Sequence, residues 1–161
     1  MSNWITIYTD GAALGNLGPG GCGVVMFYGT HRKEISEGYK LTTNNRMELL
    51  AVIVALQHIK DKSIPVKVFT DSKYVCDSIE KKWLEGWVRK GFKNVKNPDL
   101  WKLFLEIRKG FQLEINWVKG HSGIPENERC DELATTAAKN SPTKRDHFFE
   151  NLQNSNNTLD L

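Results

Sequence analysis

The sequence predicts a layered α/β domain, α+β-like in having a mixed β-sheet, and three observations support this fold class. Before residue 42, three short segments have strand-like alternation and are separated by glycine-containing turns. From Thr42 the spacing of apolar residues changes to the helical period. Two further β-rich runs, 64–70 and 113–118, are each followed by a helical pattern. With 161 residues, of which 40% are hydrophobic, the chain can form one domain with a substantial core.

The first three predicted strands form an antiparallel meander. The first strand starts near Trp4 and ends at Asp10, where an Asp-Gly pair opens a turn rich in glycine and asparagine. The second strand covers roughly residues 22–28 and the third roughly residues 33–41. An Asp-Gly pair is typical of turns, so Asp10 also has a purely structural interpretation.

A helix is predicted to follow the third strand. Apolar residues at helical spacing place one face of it in the core: Met47, Leu50, Ala51, Val54, Ala55 and Ile59. Asn45 with Glu48 three residues later fits a capping box, which gives Glu48 a structural interpretation. Asp71, directly after the fourth strand, can similarly be the N-cap of the next helix.

The remaining elements are a helix, a loop, a helix, a strand and a last helix. The helical pattern after Asp71 extends to about Val88, and residues 89–98 are too polar and irregular for the core. We therefore predict that 89–98 is a protruding basic loop. Asp99 is predicted to cap the following helix, and Pro125 to start the last one.

The composition excludes several classes of protein. The longest apolar-rich run, MELLAVIVAL, is too short to span a bilayer, and no signal-peptide pattern opens the chain, so we expect a cytoplasmic protein without membrane contact. The three cysteines are widely spaced and argue against both a disulfide framework and a zinc site. We predict a folded domain over residues 1–140 and a flexible C-terminal tail over 141–161.

The charge of the chain is unevenly distributed. The formal net charge is only +3, yet the segment from Lys81 to Lys96 has six basic residues and one acidic residue, a net charge of +5. A basic segment on a mildly acidic remainder is typical of proteins that contact phosphate groups. The sequence therefore predicts a phosphate-bearing partner.

Four carboxylates are expected at one edge of the sheet. Asp10 and Asp71 end strands, and Glu48 and Asp131 are predicted in the first turns of helices. Clustered carboxylates repel one another unless a cation compensates their charge. All-oxygen ligands favour Mg²⁺ or Mn²⁺ over zinc, and two such ions about 4 Å apart would stabilise both oxygens of a phosphodiester displacement. Periodicity alone leaves the convergence of the four acids open.

Six motifs in order connect the chain to a known family: YTDG, GNLGPGG, TTNNRMEL, TDS, WVKGHSG and ENERCDELA. Together they closely resemble bacterial ribonuclease HI, of the type 1 ribonuclease H family, over nearly all of residues 4–140. The resemblance implies a ribonuclease H-like fold with a five-stranded mixed sheet flanked by α-helices. It also implies a monomeric endonuclease that hydrolyses the RNA strand of RNA/DNA hybrids with two metal ions, leaving 3′-hydroxyl and 5′-phosphate ends.

The resemblance further implies roles for individual side chains. Asp10 would bind both ions, with Asp131 beside it at the ion that activates water. Glu48 and Asp71 would hold the ion near the leaving oxygen. His121 matches a loop histidine thought to assist proton transfer or product release, although a histidine between glycines in a loop can also be a merely solvated residue.

Substrate contacts are implied at further positions. Residues matched to the RNA minor groove, where 2′-hydroxyls are exposed, are Asn16, Asn44 and Asn45. Residues matched to a pocket for a DNA phosphate are Thr43 and Asn97. Residues matched to a DNA-strand channel and a basic protrusion are Trp83, Trp87, Arg89, Lys90, Lys93 and Lys96. The two tryptophans equally suit core packing, and Lys73 stands where a glutamine that contacts RNA is frequent.

Two other functions stay open from the sequence. A catalytically inert hybrid-binding module would keep the fold and the basic loop, but the presence of all four acids argues against it. A transposase or junction resolvase on this scaffold would share the acids at strand ends, but not the TTNNRMEL helix start or the basic loop.

Overall fold

The protein folds as a five-stranded mixed sheet flanked by helices, which confirms the predicted fold class. A computed structural model describes residues 3–140 and 142–157. The strands are β1 (Ile5–Ala13), β2 (Gly18–Tyr28), β3 (His31–Thr42), β4 (Val66–Thr70) and β5 (Leu113–Trp117). The helices are α1 (Asn44–Gln57), α2 (Lys73–Glu80), α3 (Trp83–Arg89), α4 (Pro98–Arg108), α5 (Pro125–Lys139) and α6 (His147–Asn157).

The sheet joins an antiparallel meander to a parallel half. Its strand order is β3-β2-β1-β4-β5, with β4 parallel to both β1 and β5. Parallel pairing of β1 with β4 ends where Thr9 lies opposite Thr70. Asp10 and Asp71 are the next residues, so both lie at the same edge of the parallel pair. β1 itself continues to Ala13 because its last residues still pair with β2, so the predicted end of this strand was too early.

Helix α1 is buried on several sides and not on one face alone. Besides the predicted apolar face, Leu49, Val52 and Leu56 are buried. The reason is that α1 contacts both the sheet and α4, whose Trp101 and Phe104 belong to the same core. A helix that is apolar all round is typical of a core position.

Two glycines allow α1 and α5 to approach the sheet closely. A Cβ at Gly11 would overlap the backbone of α1 at Glu48, and a Cβ at Gly23 would overlap the backbone of α5 at Cys130. This close packing brings Glu48 and the residue after Cys130, Asp131, toward the edge of the sheet where the acids of β1 and β4 lie.

Two predicted caps are wrong. The N-cap of α1 is Thr43, not Asn45, because the Thr43 hydroxyl accepts the backbone N–H of Arg46 at 3.3 Å. Asp99 does not cap α4, which begins after Asn97. Its carboxylate instead pairs with Arg46 at 2.7 Å.

The helix predicted to extend to Val88 is two helices. Lys82 adopts a left-handed conformation (φ 61°) and separates α2 from α3. The chain between α3 and α4 forms turns whose lysines are exposed. The predicted basic loop is therefore confirmed as an exposed loop, apart from its end residues, which belong to the two helices.

Part of the predicted tail lies against the domain. Asp146 is buried, and its carboxylate accepts hydrogen bonds from the Thr42 hydroxyl at 2.7 Å and from Arg46 at 2.6 Å. Helix α6 follows, with Phe149 buried. The boundary at residue 140 and the flexibility of 141–161 stay predictions, and residues 141 and 158–161 lie outside the described part of the chain.

Among residues 3–140 and 142–157, no helix combines the length and the apolar character needed to cross a bilayer. Cys22, Cys76 and Cys130 are buried free thiols, as expected for structural cysteines.

Candidate active site

Three carboxylates meet where the parallel pairing of β1 and β4 ends. One oxygen from each of Asp10, Glu48 and Asp71 lies within 4.8 Å of the other two. Asp10 comes from β1, Asp71 directly follows β4, and Glu48 comes from α1. The structure therefore brings these three predicted acids together.

Hydrogen bonds show that Glu48 and Asp71 do not serve as helix caps. The backbone N–H of Gly11 donates to Asp10 Oδ1 at 2.9 Å and also to Glu48 Oε1. Glu48 thus reaches across to β1, and its capping-box interpretation is wrong. The cap of α2 is Ser72, whose Oγ accepts a backbone N–H of that helix at 3.1 Å, so the capping interpretation of Asp71 is also wrong.

Burial raises the pKa values of all three acids. It raises the pKa of Asp10 from 3.8 to about 7, and the charges of Asp71 and Asp131 add to the rise. Burial also raises the pKa of Glu48, reinforced by its hydrogen bond with Asp10 and by the charge of that residue. For Asp71, burial raises the pKa, opposed by a hydrogen bond with Asp10 and by the charge of His121. A compact oxygen cluster whose ionised form is costly fits a hard divalent cation.

Asp10 should make the stability of the metal-free protein depend on pH. Its pKa is higher in the folded state than in the unfolded chain, so its stabilising contribution is complete below about pH 4 and is lost as the pH rises through about 7. In the presence of a chelator, Asp10→Asn should therefore raise the free energy of unfolding by ~1–3 kcal/mol near pH 8 and by little near pH 4. Urea unfolding at the two pH values measures this difference.

Asp61 provides the control for that experiment. It lies on an exposed turn where hydrogen bonds from Ser63 lower its pKa, so Asp61→Asn should not stabilise the protein near pH 8. If Asp10→Asn raised the free energy of unfolding equally at both pH values, its effect would be unrelated to ionisation of this carboxyl group.

Asp131 lines the same cleft as the three acids. This cleft has a volume of about 450 Å³ and also includes His121. Asp131 is the seventh residue of α5 and Glu48 the fifth residue of α1, so both lie in second helical turns and the predicted first turns are wrong. Asp131 does not belong to the group of three acids whose oxygens lie within 4.8 Å of one another. Its charge nevertheless contributes to the raised pKa values of Asp10 and Asp71.

His121 reaches the cleft from the loop between β5 and α5. It is exposed and has a left-handed backbone conformation (φ 54°). The preceding residue, Gly120, packs so closely that a Cβ there would lie 2.7 Å from Asp71 Oδ2. The loop that carries His121 is therefore in direct contact with the acid cluster.

A second cavity adjoins the acid cleft and gathers predicted substrate residues. It has a volume of about 780 Å³ and shares Asn44 and Asn45 with the cleft. Its predicted substrate residues are Asn16, Thr43, Asn44, Asn45, Lys96 and Asn97. We call this space the asparagine cavity.

Hydrogen bonds orient two asparagines of this cavity. Asn44 Oδ1 accepts the backbone N–H of Ala13 at 2.6 Å, and Asn16 Oδ1 accepts the backbone N–H of Asn44 at 2.9 Å. Because backbone groups occupy these side-chain oxygens, the NH₂ groups remain to donate to another molecule.

Sequence reasoning missed Arg46, which fixes one wall of the asparagine cavity. Arg46 is only 2% exposed; its guanidinium pairs with Asp99 and Asp146 and donates to Asn97 Oδ1 at 3.3 Å. Asn97 in turn donates to the hydroxyl of Tyr74 at 3.0 Å. The available signal was an arginine inside TTNNRMEL, at the start of a helix with apolar residues on every side.

The residues matched to the DNA-strand channel and the basic protrusion lie outside the acid cleft and, Lys96 apart, outside the asparagine cavity. Trp83 is 45% exposed, whereas Trp87 is partly buried with its ring 5.6 Å from that of Trp101. Core packing therefore explains Trp87 better than Trp83. The other basic residues of this group are exposed on α3 and the basic loop: Arg89, Lys90 and Lys93.

Lys73 does line the acid cleft. Its Nζ lies 4.1 Å from the centre of the Trp117 ring, and Trp117 Nε1 donates to the backbone oxygen of Asp71 at 3.1 Å. A cation thus stands beside the acids at the position where the resemblance would place a glutamine.

Comparison with known proteins gives consistent matches. The family model described as RNase H matches residues 2–139. Ribonuclease H of Desulforamulus reducens is 55% identical over 140 residues, covering 84% of this chain and 87% of the relative. Ribonuclease HI of Synechocystis sp. is 46% identical over 153 residues, covering 91% of this chain and 95% of the relative.

Solved structures agree with these sequence matches. LC9-RNase H1, described as a type 1 RNase H with the type 2 active-site motif, has a TM-score of 0.74 at 33% identity. The match covers 84% of this chain and 72% of the LC9-RNase H1 chain. LC11-RNase H1 in complex with an RNA/DNA hybrid has a TM-score of 0.61 at 30% identity. The match covers 83% of this chain and 96% of the LC11-RNase H1 chain.

Proposed function

The chain belongs to the ribonuclease H family of enzymes, and from this premise we propose that it is an endonuclease that hydrolyses the RNA strand of RNA/DNA hybrids. The observation that carries the proposal is the cluster of Asp10, Glu48 and Asp71 beside a cavity that is lined by asparagine side chains. The hybrid bound to the similar LC11-RNase H1 supports the substrate class. The products are expected to have 3′-hydroxyl and 5′-phosphate ends.

The four acids are proposed to hold the cations. Asp10, Glu48 and Asp71 offer oxygens within 4.8 Å of one another, and Asp131 adds a carboxylate in the same cleft. Mg²⁺ or Mn²⁺ suits this donor set, and two ions bound with the substrate would supply charge stabilisation at the attacking and leaving oxygens. The acids would position the scissile phosphate group only through the cations that they hold, because an anionic substrate can approach this cluster only when the charge of the carboxylates is compensated.

His121 is proposed to carry a proton between the cleft and solvent, or to assist product release. It is exposed on a loop that contacts Asp71 through Gly120, so its imidazole has access to both water and the cleft. An imidazole in this position can act as a general acid or base without binding a cation.

The asparagines are proposed to recognise ribose. The NH₂ groups of Asn16 and Asn44 are available because their oxygens accept backbone N–H groups, and Asn45 is exposed beside them. The oxygen of a 2′-hydroxyl is an acceptor that deoxyribose lacks. This arrangement would put recognition of the RNA strand next to the acids.

Thr43 and Asn97 are proposed to bind a phosphate of the DNA strand. They are the N-caps of α1 and α4, so the N-termini of two helices border the asparagine cavity. Helix N-termini favour anions, and Lys96 adds a positive charge to the same cavity. The Thr43 oxygen accepts from Arg46, which leaves its O–H to donate.

Incubation with Mg²⁺ and labelled RNA/DNA, DNA/DNA and RNA/RNA duplexes tests the proposal. We expect cleavage of the hybrid alone, and none with a chelator. Binding of the hybrid without cleavage would indicate an inert binding module, and efficient cleavage of DNA/DNA would indicate another enzyme on the same scaffold. The monomeric state, the cytoplasmic location and the preference for Mg²⁺ or Mn²⁺ stay predictions.

The basic residues at 89, 90, 93 and 96 should contribute salt-dependent affinity. Removing one charge that binds a phosphate should reduce the slope of log K against log salt by about 0.9, so neutralising four residues predicts a change of at most about 3.6. The KM for the hybrid should rise at low salt and approach the wild-type value at high salt, while kcat changes little. Neutralising Lys60 and Lys62, which follow the far end of α1, is the control and should leave the slope unchanged. A wild-type slope in the loop variant would mean that the loop binds no phosphate groups.

A further inference from the structure

Helix α6 forms a wall of the asparagine cavity. The lining of the cavity includes Thr43, Lys96 and Asn97 together with Phe148, Leu152 and Gln153 of α6. None of these α6 residues was predicted to contact substrate, because the sequence after residue 140 matches none of the six motifs. The surface available to a bound duplex therefore continues beyond the polar donors onto this helix.

Two large apolar side chains of α6 are exposed toward the same space. Phe148 is 42% exposed and Leu152 is 47% exposed. They are four residues apart on the helix, so they lie on one face, and both line the cavity. Scattered exposed apolar residues are common, but here two neighbours on one helix face line the same cavity as Asn16, Asn44 and Asn97.

The position of this face is fixed relative to Asn97. The Phe148 ring lies 5.3 Å from the Arg46 guanidinium, which also donates to Asn97 Oδ1. The N-terminus of α6 is held by Asp146, whose carboxylate binds Arg46 and accepts the backbone N–H of Phe149 at 3.4 Å. One buried arginine thus holds both the proposed phosphate ligand Asn97 and the apolar face of α6, which places that face on the DNA side of the cavity.

We propose that the Phe148 and Leu152 face of α6 packs against deoxyribose groups of the DNA strand and selects DNA as the partner of the RNA that is cut. The inference rests on the proposed function. The C2′ methylene of deoxyribose can be buried against leucine and phenylalanine, whereas a ribose 2′-hydroxyl buried there would lose its hydrogen bonds with water. Gln153 can donate to a phosphate oxygen, a contact that DNA and RNA strands offer equally.

Leu152→Ser, made in the Asp10→Asn background so that the substrate stays intact, tests this role. Kd is measured by fluorescence anisotropy for an RNA/DNA hybrid and for an RNA/RNA duplex of the same sequence. Because the variant loses the leucine surface that the bound DNA strand would bury, the Kd for the hybrid should rise roughly 3- to 10-fold. The Kd for RNA/RNA should stay unchanged, so discrimination between the duplexes falls by the same factor, and the slope of log K against log salt stays as in the Asp10→Asn protein.

Leu103→Ser is the matched control, because Leu103 is a 37% exposed leucine on α4 that does not line the cavity. It should leave both Kd values unchanged, and Leu152→Met should retain the discrimination. The inference is overturned if Leu152→Ser changes neither Kd, raises the Kd of both duplexes by the same factor, or raises the Kd for RNA/RNA more than the Kd for the hybrid. Cleavage of the hybrid by the wild-type chain, assayed in parallel, separates failure of this inference from failure of the proposed function.

Discussion

Asp10→Asn is expected to lower the turnover of RNA cleavage by more than roughly 10³-fold, which corresponds to about 4 kcal/mol of transition-state stabilisation. Asp10 shares the Gly11 N–H with Glu48, and one of its oxygens lies within 4.8 Å of an oxygen of each of the other two acids. An amide has the same shape but no charge with which to hold a cation. The Kd for the hybrid should change little, because the asparagine cavity and the basic loop are intact.

Single-turnover cleavage and anisotropy binding measure the two effects of Asp10→Asn separately. The matched control is Asp77→Asn, which removes an α2 carboxylate that pairs with Lys81 away from the acid cleft. A variant at Asp10 that kept a tenth of wild-type turnover would remove this residue from its proposed central role. Glu48→Gln and Asp71→Asn should be similarly severe, because each amide likewise lacks the charge with which to hold a cation.

Arg46→Met is expected to lower the free energy of unfolding by ~3–5 kcal/mol, because it leaves the buried Asp146 carboxylate without its cationic partner. It also removes the pair with Asp99 and the hydrogen bond to Asn97. Hybrid binding should weaken as well, since the same side chain positions the wall of the asparagine cavity. Urea unfolding measures the change in stability, and hybrid titration measures the change in affinity.

Two comparisons make the Arg46 experiment specific. Arg129→Met removes a more exposed arginine that pairs with Glu34, and it should destabilise the protein much less than Arg46→Met, because water screens an exposed ion pair. Adding Asp146→Leu to Arg46→Met should restore part of the lost stability, because no uncompensated buried charge then remains. A destabilisation by Arg46→Met no larger than that by Arg129→Met would show that the buried pair is unimportant.

The sequence was most informative where local pattern and topology coincide. Strand alternation and turns indicated the meander. Asp10 at the end of one predicted strand and Asp71 directly after another led to the expectation that the two carboxylates lie at one edge of the sheet. Parallel pairing of β1 with β4 then places both residues at one edge. The interpretation of Glu48 was ambiguous because NRME matches a capping box, and the contact with Gly11 shows that Glu48 is not a capping residue.

Contacts between distant parts of the chain could not be predicted from local pattern. Arg46 pairs with Asp99 and Asp146, and nothing in the periodicity near any of these residues indicates the others. The same limit applies to α6, whose asparagine-rich sequence is too polar to predict packing. Its attachment depends on one buried carboxylate and one buried phenylalanine, which are visible only in three dimensions.

Cleavage of a single RNA/DNA hybrid labelled on both strands tests the central claim most directly. With Mg²⁺ or Mn²⁺ present, the RNA strand should be cut internally into fragments with 5′-phosphate and 3′-hydroxyl ends, while the DNA strand in the same reaction stays intact. Addition of a chelator should stop the reaction. Cleavage of the DNA strand, or RNA cleavage that continues in the chelator, would contradict a metal-dependent acid cluster that is directed to the RNA strand.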